Sequence, residues 1–168
     1  IFSREIVKKL MFFACEVPQQ MQKVTLKPIV DNVLNLLKPS FKNKNIQSIF
    51  NIESPELQIR ADEIQITQVL FNIIMNAIYA SPEHSKVEIS IKKLKGNIQV
   101  KIIDEGSGIA STIEDKVYEP FFTTKPTGDG SGLGLSVVHG IISSHKGTIK
   151  HSKNSPKGTI FTINFPEN

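Results

Sequence analysis

"DGSGLGLSVV", residues 129–138, sets glycine at every second position, Gly130, Gly132 and Gly134, and then runs straight into an apolar stretch of helical character. A helix start preceded by bare backbone offers free N–H groups and a positive dipole end to an anion, and glycines let that backbone fold over it. A flexible linker explains the stretch poorly, because the glycines stop at a well-formed helix. Two phosphate loops are excluded by spacing: no Gly-x-x-x-x-Gly-Lys-Ser/Thr occurs, and the strand-to-helix glycine spacing of the dinucleotide fingerprint is absent.

Outward from this stretch, the helix "SGLGLSVVHGIISSH" (131–145) is stopped by Gly147, and a hairpin from "GTIKHS" to "GTIFTINF" turns around Pro156-Lys157-Gly158. Upstream, residues 105–134 are rich in Gly, Ser, Thr and Pro, broken by one helical turn at "IEDKVYE" (113–119); a loop of that length signals function or disorder. Before it, "KVEISIKKL" and "NIQVKIID" alternate around Lys95-Gly96-Asn97, a hairpin signal. Asp62 caps a helix "EIQITQVLFNIIMNAIYA" that ends before Pro82, and "IQSIFNI" and "LQIRA" read as short strands. An earlier helix runs from Thr25 as N-cap, with Pro28 in its first turn, to a stop at Pro39. The opening residues Phe2, Ile6, Leu10, Phe13 and Val17 form the stripe of one more helix, which packs on other helices and ends at Pro18. The domain so outlined is an α/β (α+β) two-layer sandwich, with about three helices covering a mixed, mostly antiparallel sheet of about five strands.

Composition narrows the function. Twenty basic against sixteen acidic residues leave a charge of only +4, with scattered lysines, so nucleic acid is not an expected partner. Lys92, Lys93 and Lys95, the densest basic group, fit a solvated strand edge. The lone Cys15 excludes an internal disulfide framework and a thiolate metal site, and suits a reducing, cytoplasmic home. No apolar run approaches a membrane span, and no leader pattern opens the chain; Ile1 in place of Met suggests a piece of a longer protein.

Two constellations carry chemistry. Gln68, Asn72 and Asn76 recur at steps of four on one helix, a polar stripe that by itself reads better as the wet face of an amphipathic helix than as a site. Asp104 ends an apolar strand with Gly106 and Gly108 behind it. The carboxylate either caps a turn or accepts a hydrogen bond from a flat ligand that the glycines let approach.

Taken in order, "NIIMN" (72–76), "DEGSG" (104–108), "EPFFTTK" (119–125), "GDGSGLGL" (128–135) and Gly158-Thr159 resemble the N box, first glycine box, F box, second glycine box and final Gly-Thr of the ATP-binding domain of sensor histidine kinases. The resemblance covers about residues 25–168, with 1–24 similar to the end of a dimerisation helix and its linker. It implies a Bergerat-type ATP-binding fold with a lid at about 109–131. By motif position, Asp104 accepts the adenine amine with Thr159 nearby, and Gly106 and Gly108 line the base. Asn76 offers its oxygen to Mg²⁺ and Asn72 lies near the phosphates. Gly130, Ser131, Gly132, Leu133 and Gly134 bring helix-start amides to the triphosphate, Lys125 reaches its terminal phosphates, and Phe121 and Phe122 anchor the lid.

The chaperone, gyrase and mismatch-repair ATPases that share this fold resemble it except for a water-activating Glu where this chain has Asn72. An amide cannot accept that proton, which suits an enzyme that keeps the γ-phosphoryl for a protein side chain. The chain also departs from the family. Tyr79 and Ala80 stand where many members carry a Lys and then Tyr or His, and none of His84, His139, His145 or His151 lies in a phosphoacceptor context. The resemblance therefore implies the catalytic half of a histidine kinase, monomeric alone, acting on a histidine of its homodimeric parent's dimerisation domain and, through it, on a response regulator. A fold-matched ATPase or anti-sigma-like kinase is the alternative, disfavoured by Asn72; a non-catalytic nucleotide sensor is disfavoured by the intact boxes.

Overall fold

The structure is a computed structural model that describes residues 19–167, so the opening helix read at Phe2–Val17 lies outside the described residues. The elements run β1 (Gln22–Thr25), α1 (Leu26–Asn43), β2 (Gln47–Ile52), β3 (Gln58–Ala61), α2 (Glu63–Ala80), β4 (Lys86–Leu94), β5 (Asn97–Asp104), a 3₁₀ turn (Glu114–Lys116), α3 (Gly134–Ser144), β6 (Thr148–Lys153) and β7 (Thr159–Pro166). Five strands form one sheet in the order β2-β4-β5-β7-β6, antiparallel except for the β2–β4 pair. A parallel pair needs a crossover, and β3 with α2 supplies it.

Period-two burial sets the layers. Val87, Ile89 and Ile91 of β4, Ile98, Val100 and Ile102 of β5, and Phe161, Ile163 and Phe165 of β7 are buried on one face. Their neighbours Ser90, Lys101, Thr162 and Asn164 are only half-buried, so one side of the sheet carries the core and the other is wet. Against the core face lie α1, through Ile29, Val33, Leu37 and Phe41, and α2, whose Ile66, Leu70, Ile73, Ile74 and Ala77 bury faces on several sides. α3 adds Val138, Ile141 and Ile142.

The predicted hairpin closes with Leu94 paired to Asn97, a two-residue turn at Lys95-Gly96. Asp62 caps α2 as expected, accepting from the Gln65 N–H at 3.1 Å. Buried His145, at the end of α3, has a packing role: its Nε2 accepts from the Asp62 N–H at 3.0 Å, and its Nδ1 lies 2.7 Å from the Ile141 carbonyl oxygen.

Three expectations are corrected. Pro39 does not stop its helix, since α1 continues to Asn43. Pro39 and Asn35, whose carbonyl loses the i+4 N–H partner, are both exposed, while Leu37 and Phe41 on either side hold the helix to the core. The helix expected from residue 131 starts at Gly134, because Gly132 at φ +70° is left-handed. A further two-stranded ribbon pairs β1 antiparallel with β3, and through it Thr25 Oγ1 accepts from Gln58 Nε2 at 3.0 Å. Thr25 stands at the N-cap of α1 but gives it no side-chain cap.

Candidate active site

The alternation that builds the core also builds the floor of a cavity. Asp104 continues the buried series of β5, and Thr159 begins that of β7, so two polar residues end adjacent strands on the core face. Asp104 is 3% exposed, and its Oδ1 accepts from the Gly106 N–H at 2.8 Å and the Thr159 N–H at 3.1 Å. Burial pushes its carboxyl above the ordinary value of 3.8, and the two N–H bonds pull it partly back. Both bonds end on Oδ1, which leaves Oδ2 for a donor from the cavity. Gly158 permits the junction: at φ +112° its position would put a Cβ 1.9 Å from the Asp104 carbonyl oxygen. Asn154 then fastens it, its Nδ2 donating to the same oxygen at 2.9 Å.

The cavity above this floor holds about 330 Å³. It gathers Asn72, Asn76, Asp104, Gly108, Lys125, Gly130, Ser131, Gly132, Gly134 and Thr159 from five separate motifs. Gly106 and Leu133 do not line it. Gly106 lies under Ala80, whose carbonyl oxygen would be 2.7 Å from an added Cβ, and serves by donating to Asp104. Leu133 is the N-cap of α3, and its N–H donates to Ser131 Oγ at 3.3 Å. A more open polar hollow of about 390 Å³ at Asn45, Gln47, His84, Ser85, Lys86 and Glu105 takes in none of the motif positions apart from Glu105; the convergence of the boxes favours the first cavity.

Its walls differ in kind. Phe71, Met75, Ile109, Ile113, Val117 and Phe161 give the cavity apolar surface suited to a flat ring. Asn72 and Asn76, four residues apart on α2, add two side-chain amides, and the Asn72 Cγ lies 3.9 Å from a Cβ built on Gly134 at the start of α3. Free amides at that helix start, two side-chain amides and the Lys125 ammonium make this end suited to an anion and a hard cation. Lys125 Nζ donates to Asn76 Oδ1 at 3.2 Å and sits 4.3 Å from the centroid of the Tyr79 ring.

The 105–133 segment closes the cavity with little regular structure beyond the 3₁₀ turn. Tyr118 ties it down through a 3.1 Å hydrogen bond to His151 Nδ1, and burial pushes the Tyr118 phenol up to about 12. The paired-phenylalanine anchor is half right. Phe122 lines the cavity, whereas Phe121 is 75% exposed at φ +64°, its backbone within 2.3 Å of a Cβ added at Gly132. Asn154 had no signal in the sequence, since its partner is 50 residues away. Tyr79 was visible only as a departure from the motif.

An α/β sandwich with an acceptor sunk in its floor and a glycine-led helix start facing two asparagines has the architecture of histidine kinase catalytic domains. The family model for the histidine kinase-, DNA gyrase B- and HSP90-like ATPases matches residues 61–168, and the chain belongs to this family. It is 32% identical over 163 residues to sensor histidine kinase ZraS of Escherichia coli (strain K12), covering 97% of this chain and 35% of that protein, so it spans about a third of that relative's length. Its fold is similar to the nucleotide-free catalytic domain of histidine kinase ThkA, with a TM-score of 0.80 and 30% identity over 88% of this chain and 95% of that one. A structure of ThkA in complex with response regulator protein TrrA is similar with a TM-score of 0.79 and 28% identity, covering 98% of this chain and 47% of that one.

Proposed function

We propose that this chain is the catalytic domain of a two-component sensor histidine kinase, which takes Mg-ATP into the cavity and delivers its γ-phosphoryl to a histidine on a dimerisation domain outside the chain. Residues 25–168 form the catalytic unit, with 109–131 as its lid, and 1–24 lead in from the dimerisation domain. The observation that carries the reading is Asp104: a buried carboxylate with one oxygen held by its own chain and one left for the cavity fits an adenine amine. Bound Mg-ATP supplies the transferable phosphoryl group and a metal that neutralises its charge.

The chain's own residues do the rest. Asp104 and Thr159 hold the base beside the apolar lining, Gly108 lets it approach the backbone, and Gly106 holds Asp104 in place by donating to it. Asn76 Oδ1 fits one ligand position of a cation that keeps most of its waters. The amides of the 130–134 stretch, with Lys125, cradle the phosphates. Asn72 stands where a base could activate water and has no basic atom, so hydrolysis stays slow and the phosphoryl group waits for its histidine. The ThkA complex supports a response regulator as the downstream partner. The lone Cys15 fits a cytoplasmic setting, and no helix among the described residues is long and apolar enough to cross a membrane.

The test is to incubate the chain with Mg²⁺ and γ-labelled ATP, alone and with candidate dimerisation domains. Acid-labile label should appear on a dimerisation domain and never on this chain alone; label on this chain alone, or no nucleotide binding at all, would overturn the reading.

A further inference from the structure

Three features converge on one ammonium. Lys125 Nζ donates to Asn76 Oδ1 at 3.2 Å and lies 4.3 Å from the centroid of the Tyr79 ring. Asn76 and Tyr79 are three residues apart on α2 and so share a face. From the opposite side, Gly130 leaves room for the lysine stem, since a Cβ there would be 2.9 Å from Lys125 Cδ. The backbone that carries the ring is held in place, and the Lys44 ammonium lies 5.9 Å from the centroid of the same ring. Lys44 Nζ donates to the carbonyl oxygens of Ile78 and Tyr79 at 2.9 and 2.6 Å, which fixes the end of α2.

We propose that Tyr79 is a positioning residue for Mg²⁺–nucleotide binding: its ring seats the Lys125 ammonium on the Asn76 amide oxygen, so that lysine and divalent cation take that oxygen in turn. The inference rests on the function proposed above. Two cations in contact with one oxygen repel strongly in a half-buried site, so a metal on Asn76 requires the lysine to leave. The tether of Lys125 lets it move to the phosphates that arrive with the metal. The aromatic face sets how firmly the lysine is held, and therefore how much Mg²⁺ is needed to displace it. Tyr79 thereby turns the basic residue missing from its own position into a metal-dependent contact made by another element.

The experiment titrates Mg²⁺ at a fixed concentration of a fluorescent ATP analogue, and follows hydrogen exchange of residues 117–131 in the nucleotide-free chain. Tyr79→Leu should lower the Mg²⁺ concentration at half-maximal binding by roughly two- to fivefold and speed exchange in 117–131. Tyr79→Phe should restore both, because only the ring face is used. On a Lys125→Met background, Tyr79→Leu should move neither. A Mg²⁺-dependent parent whose midpoint and exchange are unchanged in Tyr79→Leu overturns the seat alone. A parent with no Mg²⁺-dependent binding overturns the proposed function, and the exchange of cations with it.

Discussion

The floor of the cavity and the segment that closes it differ in how far the hydrogen bonds of their backbone groups reach. On the floor, Asp104 is bonded to Thr159 and Asn154, 55 and 50 residues away. In the closing segment the backbone bonds are local: Ile113 to Ala110, Lys116 to Ile113, Glu119 to Lys116, Phe122 to Glu119 and Asp129 to Pro126. Opening the floor requires pulling β5 from β7, whereas the segment can rearrange by breaking one short turn at a time together with two side-chain ties, Tyr118 to His151 and Lys125 to Asn76. The difference separates two tasks. On the function proposed above, base recognition falls where nothing needs to move, and the contacts to phosphate and metal fall on the segment that can.

The sharpest way to break this contrast is at Gly158. An alanine there needs φ near +112° and puts its Cβ 1.9 Å from the Asp104 carbonyl oxygen, and neither strand can yield without unzipping. Gly158→Ala should cost on the order of 3 kcal/mol, or about 6–12 °C in Tm by thermal denaturation. A shift below ~2 °C would mean that the floor is as compliant as the segment above it.

Asp104→Asn tests the floor's chemistry. An ionised Asp104 can only accept, which matches the amine of adenine and rejects the carbonyl of guanine. Asparagine loses the charge-assisted bond, about 1.5–3 kcal/mol or more than tenfold in ATP affinity, and its amide can donate where the carboxylate could not. Titration of ATP and GTP into both proteins should therefore show weaker ATP binding and a relaxed preference. Unchanged affinity with unchanged preference would mean that Asp104 does not read the base.

Acidification makes the same test without a mutation. Burial raises the Asp104 pKa above 3.8, so the carboxyl takes up its proton at a higher pH in the folded chain than in the unfolded one. Protonation removes the charge that accepts from adenine, and ATP affinity should fall as pH drops through the raised value. Stability responds with the opposite sign. The folded state binds the proton more tightly, so the contribution of Asp104 is fully present below 3.8 and is lost as pH rises through the raised pKa. Calorimetric titration and thermal denaturation across that window should diverge, and Asp104→Asn should flatten both slopes. Parallel trends would assign the titration to another group.

The same difference in reach explains what could be read from the sequence. Asp62, the Lys95-Gly96 turn and the apolar alternation of β4, β5 and β7 act on near neighbours, and the sheet and α2 follow from them. Asp104 and Thr159 were legible as candidates because each ends a buried strand series, and Asn72 and Asn76 because they recur at a step of four inside α2. β1 was missed, because four residues with one buried side chain carry no period and take their meaning from β3, more than thirty residues on. Pro39 misled because a helix interior tolerates proline where the freed carbonyl meets water, which depends on tertiary packing. The meeting of Lys125 with Tyr79 joins a loop to a helix across 46 residues, and no local pattern announces it.

Gly132 repeats the geometry of Gly158 on the other side of the contrast and should show the smallest effect on stability. Its φ is +70°, and a Cβ there would lie 2.3 Å from the Phe121 carbonyl carbon, a backbone clash as direct as the one on the floor. The surroundings differ. Phe121 is largely exposed, and the hydrogen bonds around it span three residues, so the strain of an alanine can be released by shifting the segment without separating any strands. The cost to the whole fold is then capped by the free energy of that local opening. Gly132→Ala should lower Tm by less than the equivalent of about 1 kcal/mol in the nucleotide-free chain. On the proposed function the segment closes over nucleotide and the substitution impairs that closure, so the rise in Tm on adding saturating Mg-ATP should be smaller than in the parent. Scanning fluorimetry of both variants with and without nucleotide decides it. A Gly132→Ala loss as large as that of Gly158→Ala, already present without nucleotide, would show that the closing segment belongs to the same cooperative unit as the floor.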